Sequence, residues 1–190
     1  MHSGPLGPFV VLAKIEEARE AATLIMLLGV AWAATRNFRS GLAAFSLIFG
    51  VWDLTFYLWL KVLIGWPASL GTWDLLFLVP VPWAGPVLAP ALVSISLVAG
   101  GAIGLLREPK RVSGLAWLLL VAGGALIFSS FIWDWRNIVD GGMPRSFAWP
   151  IFLTGELTGI AGFLVAIRKG DSELNLQGSE SLRGALHSDS

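Results

Sequence analysis

Five stretches of the chain stay apolar long enough to cross a bilayer: residues 13–35, 41–64, 86–106, 113–136 and 147–168. A hydrocarbon core of about 30 Å needs about 20 helical residues. The pattern predicts an all-α integral membrane protein, a five-helix transmembrane bundle. It breaks between the second and third spans, where Gly71 to Pro80 runs into Val81-Pro82-Trp83, Gly85-Pro86 and Pro90. A helix over 71–80 reaches only about 15 Å, and prolines lack the donor that would continue it. The reading there is an extra short helix, re-entrant or lying in the interface. Irregular backbone at membrane depth persists only where it is buried in protein or lines a cavity, so this segment is either a lid over a pocket or a surface elbow.

Residues 1–169 read as a single transmembrane domain, and the polar, serine-rich stretch 170–190 as a disordered cytoplasmic tail. The first apolar segment follows Lys14, Glu16, Glu17, Arg19 and Glu20 and has no small-residue cleavage pattern after it, so it is expected to stay as a span. Gly100 with Gly104, and Gly155 with Gly159, have the small-xxx-small spacing that lets helices approach closely, inside the bundle or in a homodimer.

Charge distribution sets the expected orientation. Arg36 and Arg39, then Arg107, Lys110 and Arg111, then Arg168 and Lys169 follow the first, third and fifth spans. By the positive-inside rule that side is cytoplasmic, with the N-terminus outside and the C-terminus in the cytoplasm, as in a bacterial inner membrane. Tryptophan is biased to the other side, at Trp59, Trp66, Trp73, Trp83, Trp133, Trp135 and Trp149, which reads as an interfacial aromatic belt.

Composition agrees with a bilayer. Hydrophobic residues make up 55% and charged residues 14%, against about 25% charged in soluble domains. Thirteen basic and thirteen acidic residues cancel, so nothing in the balance recruits nucleic acid. With no cysteine, and with both histidines, His2 and His187, in the tails, no metal site and no cofactor is expected.

Within this apolar background, acids are the informative residues. Gly-x-Trp-Asp-Leu-x-Phe occurs twice, with Trp52 and Asp53, then with Trp73 and Asp74. Trp133 and Asp134 end a later apolar run, and Glu156 interrupts the last. Asp53 and Glu156 each lie 12 residues from Gly41 and Arg168, the inner ends of their helices, so both sit at about 18 Å depth. A charge near the centre of a spanning helix costs roughly 2.5 to 3.5 kcal/mol on insertion scales, so these acids should face inward and find partners. Arg19 and Arg136 are the candidate cations, and Glu20 lies further out on the first span. Asp134, placed toward a helix C-terminus, needs a partner to offset the dipole there.

Asp53, Glu156, Asp134, Asp74, Glu20, Arg19, Arg136, Trp52, Trp73 and Trp133 are therefore the candidate ligand or proton site. A carboxylate beside a tryptophan face attracts organic cations by charge and by the ring quadrupole. The first reading is an outward-facing acidic, Trp-rich intramembrane pocket that binds or transports a small apolar or cationic ligand, with proton coupling through Asp53 or Glu156. The alternatives are an accessory or assembly subunit of a larger membrane complex and an intramembrane acid catalyst acting on an isoprenoid or another lipid; no nucleophile motif or phosphate loop accompanies the latter. Phe49-Gly50-Val51-Trp52 is similar to a fragment of the second-helix motif of the tryptophan-rich sensory protein family, but the prolines of that motif are missing here and no site residue is carried over.

Overall fold

The computed structural model describes residues 7–78, 81–107, 112–140, 142 and 145–188. Its elements are α1 (Gly7–Ala33), α2 (Phe38–Ile64), β1 (Trp73–Phe77), β2 (Trp83–Pro86), α3 (Leu88–Arg107), α4 (Gly114–Phe131), α5 (Trp135–Val139) and α6 (Trp149–Ser188). Among the described residues, four helical stretches are long and apolar enough to cross a membrane: Phe38–Ile64, Leu88–Arg107, Gly114–Val139 and Trp149–Arg168. These four fit a membrane protein. α1, whose first half carries the Lys14 to Glu20 charges, is not one of them.

Helix boundaries follow local chemistry. Asn37 caps α2 by accepting the Ser40 N–H at 2.9 Å, and Gly65 ends it in the left-handed region at φ 73° while its N–H returns to the Lys61 carbonyl. Only glycine adopts that conformation without a Cβ penalty. Ser113 caps α4 by accepting the Ala116 N–H at 3.2 Å.

The helices form two tight pairs, α2 with α3 and α4 with α6. Where the surroundings are as apolar as the helices, close backbone approach through small residues replaces the hydrophobic drive to pack. A methyl placed on Gly50 would stand 2.6 Å from the Ser94 carbonyl oxygen, and one on Gly101 the same distance from that of Ala43. Likewise a methyl on Gly123 would stand 2.6 Å from the Gly159 nitrogen. Gly155 and Gly123 are therefore used for packing inside the bundle. The two pairs touch each other more sparsely, chiefly through α3 and α6, and α1 packs along α2.

One end of the bundle is crossed by an antiparallel hairpin in the register Trp73↔Pro86, Asp74↔Gly85, Leu75↔Ala84 and Phe77↔Trp83, with an irregularity between Leu75 and Phe77. This corrects the short helix expected over 71–80. The sequence reading treated the prolines as the end of a helix, but the aromatic-rich segments on either side of them satisfy their backbone groups by pairing with each other, a non-local solution that periodicity does not reveal. Further bonds, from the Val87 N–H to the Thr72 carbonyl and from the Leu88 N–H to the Leu70 carbonyl, close the hairpin base. Phe131, Phe152 and Ala89 form the buried core beneath it, with Trp83, Phe147 and Trp149 packed against them. Gly85 fits there because a Cβ would meet the Phe131 ring at 2.9 Å.

Two further differences from expectation concern helix ends. α4 stops at Phe131 and is followed by a turn and α5, so the continuous helix expected to 136 is broken. The helical backbone of α6 runs on to Ser188, beyond the span end expected at 168. Composition there argues against burial, yet Glu, Leu, Gln, Ala and Arg interleave with the serines and favour helical backbone locally.

Candidate functional site

The aspartates of the two Trp-Asp copies reach one site from different elements. Asp53 is buried on α2, and its carboxylate accepts the Ser94 hydroxyl of α3 at 2.8 Å. Asp74 lies on β1 and accepts the Tyr57 hydroxyl at 2.7 Å. Tyr57 follows Asp53 by four residues, so both lie on the same face of α2. From α1, the buried Glu20 accepts the Leu78 N–H just beyond β1 at 3.0 Å. This bond answers a backbone donor that the hairpin itself leaves open, as burial away from water requires.

These groups line a pocket of about 100 Å³ between α1, α2 and the hairpin. Trp52, Phe56, Tyr57, Leu60 and Trp66 form its aromatic and apolar wall, and Glu16, Arg19 and Thr23 its edge. Along α2, Phe49, Trp52 and Phe56 stack in sequence, with centroids 5.8 and 6.0 Å apart, and Tyr57 stacks on Trp66 at 6.2 Å. Arg19 donates to Glu16 through Nε at 2.9 Å, forming an exposed pair one turn apart. It thus neutralises a neighbour at the pocket edge rather than an acid at the centre, and an exposed pair of this kind contributes little to stability.

Of the sequence candidates, Asp53, Asp74, Glu20, Arg19 and Trp52 come together here. The other five do not. Trp73 stands edge-on to Phe147 in the aromatic core, at 6.4 Å. Trp133 is exposed. Arg136 lies over the Trp135 ring, 5.6 Å from its centroid. Asp134 sits before α5 instead of within a helix C-terminus, and its carboxylate accepts the Arg145 N–H at 2.8 Å and an Asn137 side-chain N–H at 3.4 Å. The expected dipole conflict is absent because α4 has already ended, and Asp134 organises the following loop.

Glu156 belongs to a second, larger cavity of about 940 Å³ between the helix pairs. Its carboxylate accepts the Ser96 hydroxyl across the α3–α6 contact. Asp53 and Glu156 thus bond to serines two residues apart on α3 but stand on opposite sides of that helix.

Sequence reasoning missed Tyr57, Ser94 and Ser96. Tyr57 is the one tyrosine of the chain and lies a helical turn past Asp53. The two serines interrupt an otherwise apolar span. Both signals were readable, because buried acids need donors and these hydroxyls are the nearest candidates by depth.

Among the described residues, no three His, Cys, Asp or Glu side chains stand close enough together to hold a metal ion. The three acids of the smaller pocket are spread around its wall instead of converging on a point. In comparisons with known proteins, no family model matches the chain, and neither the curated proteins nor the solved structures include one recognisably similar to it.

Proposed function

We propose that this protein is a multi-pass membrane protein that binds, and transports, a small organic cation through the pocket between α1, α2 and the hairpin. The observation that carries this reading is the placement of Glu20, Asp53 and Asp74, from three separate elements, around one small pocket walled by Trp52, Phe56, Tyr57 and Trp66. Acids cost free energy in an apolar bundle and mark pathways there, while aromatic faces favour an alkylated ammonium over a hydrated inorganic ion. A pocket of about 100 Å³ limits the ligand to the size of a methylated ammonium.

In this reading α1 is the fifth span. Its 27 residues are about 40 Å long, enough to cross while Lys14 to Glu20 remain near the hairpin end. The opposite end carries Arg36, Arg39, Arg107 and Arg168, which supports a cytoplasmic face there and an outward-facing pocket. Protons compete with the cation at Glu20 and Asp53, so affinity falls as the outer pH drops, and an inward proton gradient drives exchange.

The test is titration calorimetry with tetramethylammonium on the full chain in nanodiscs, at pH 5.5 and pH 7.5. Saturable binding that weakens at the lower pH and is lost in Asp53→Asn supports the proposal. Binding absent at both values, or unchanged by Asp53→Asn and Asp74→Asn together, overturns it.

A further inference from the structure

The cavity between the helix pairs plays no part in the proposed cation site, and we infer that it is a separate binding site for an apolar molecule bearing a hydroxyl group, of the size of an isoprenoid alcohol. Three observations carry this. The first is shape and lining. The cavity measures about 940 Å³ and is a half-open cleft bordered by α2, α3, α4 and α6, with Val93, Leu97, Ile127 and Phe163 on its walls. That volume is at the upper end of the roughly 300 to 1,000 Å³ typical of small-molecule sites.

The second is the one carboxylate in the lining. Glu156 presents it about midway across the span, where it already accepts a hydroxyl hydrogen from Ser96. A carboxylate offers about four acceptor positions, so this group can take a second hydroxyl beside that of Ser96. A neutral alcohol is the donor that enters such a cavity at least desolvation cost, because its one polar group is paired on arrival.

The third is the behaviour of two glycines. Gly123, Gly155 and Gly162 have backbone or side-chain atoms within 3.0 Å of the position a Cβ would take, so helix contact explains them. Gly124 on α4 and Gly159 on α6 also line the cavity, yet nothing stands within 4 Å of their Cβ positions. Glycine inside a helix costs roughly 0.5 to 1 kcal/mol against alanine. Here it keeps space open instead of allowing contact.

Farnesol in lipid nanodiscs containing the full chain tests this, with binding of the radiolabelled alcohol measured against unlabelled farnesol and against its methyl ether. The site predicts saturable binding near one per chain, displaced at least tenfold more readily by the alcohol than by the ether. Gly159→Leu and Gly124→Leu should each weaken binding at least tenfold while melting no lower than wild type, and Glu156→Leu should make alcohol and ether equivalent. The inference is overturned by non-saturable uptake in wild type, by wild-type binding in both cavity-filling variants, or by an ether that competes as well as the alcohol. Because Asp53 and Asp74 lie outside this cavity, Asp53→Asn should leave farnesol binding intact, which separates this result from that for the cation site.

Discussion

Ser94 and Ser96 stand two residues apart on α3 and turn their hydroxyls to opposite sides of the helix, Ser94 to Asp53 on α2 and Ser96 to Glu156 on α6. Residues two apart on a helix point about 200° apart. One helix therefore supplies a donor to each of these two acids, one lining the small acidic pocket and the other the large apolar cavity. The tight α2–α3 contact at Gly50 brings Ser94 within reach of Asp53, since Gly50 meets the Ser94 backbone one turn before Asp53 meets its hydroxyl.

The first prediction separates scaffold from site at Asp53. Ser94→Ala leaves the buried carboxylate without its hydroxyl donor, which should lower stability by about 1 to 3 kcal/mol. Asp53→Asn keeps an acceptor for Ser94 and removes the buried charge, so it should melt at or above wild type, as expected for a group retained for function against stability. Thermal denaturation in detergent measures both. If Ser94→Ala melts with wild type, or Asp53→Asn melts well below it, the carboxylate serves the scaffold.

The hairpin is tied to the bundle at Tyr57 and at Glu20. Tyr57→Phe removes the donor to Asp74 and should cost about 1 kcal/mol, whereas Asp74→Asn retains an acceptor and should cost less. Amide exchange measured by mass spectrometry should rise across Trp73–Phe77 in Tyr57→Phe with little change in α3 or α4. An unchanged hairpin would show that the aromatic core beneath β2 holds it alone.

Glu20 predicts a more local effect. Glu20→Ala orphans the Leu78 N–H, and a buried donor left unmade costs about 1 to 3 kcal/mol; Glu20→Gln keeps a side-chain oxygen in place. Exchange at Leu78 should therefore accelerate in the alanine variant and stay close to wild type in the glutamine variant. Equal acceleration in both would assign the effect to the charge of Glu20 rather than to its hydrogen bond.

What the sequence made legible follows from the kind of signal involved. Spans of about 20 apolar residues are local and additive, so α2, α3 and the start of α6 emerged close to their observed limits. That Asp53 and Glu156 meet α3 at neighbouring positions is consistent with their equal residue counts from the helix ends. Azimuth was not legible: whether an acid faces α1 or α6 depends on how the helices rotate to bring Gly50 against Ser94 and Gly123 against Gly159, which is pairwise information that no single segment contains. The hairpin was missed for the same reason, since Trp73–Phe77 becomes a strand only by pairing with Trp83–Pro86. Asp134 was misjudged because α4 ends at Phe131 inside a run that stays mostly apolar on to Trp133, where periodicity gives no stop signal.

The last prediction contrasts two neighbouring glycines. Gly123 faces α6, and a Cβ there would stand 2.6 Å from the Gly159 nitrogen and 2.8 Å from the Gly155 carbonyl oxygen. Backbone cannot give way as a flexible side chain can, so Gly123→Ala must push α4 and α6 apart along their contact. Overpacking of this kind typically costs about 1 to 3 kcal/mol. Gly124, one residue on, has nothing within 4 Å of its Cβ position, and Gly124→Ala should stabilise its helix by about 0.5 to 1 kcal/mol through the lower backbone entropy of alanine. Melting temperatures of the two variants should therefore move in opposite directions from wild type. Equal destabilisation would mean that α4 rotates by about one residue from the position that gives Gly123 to α6, and the large cavity, which takes part of its wall from Gly124, would have to be redrawn with it.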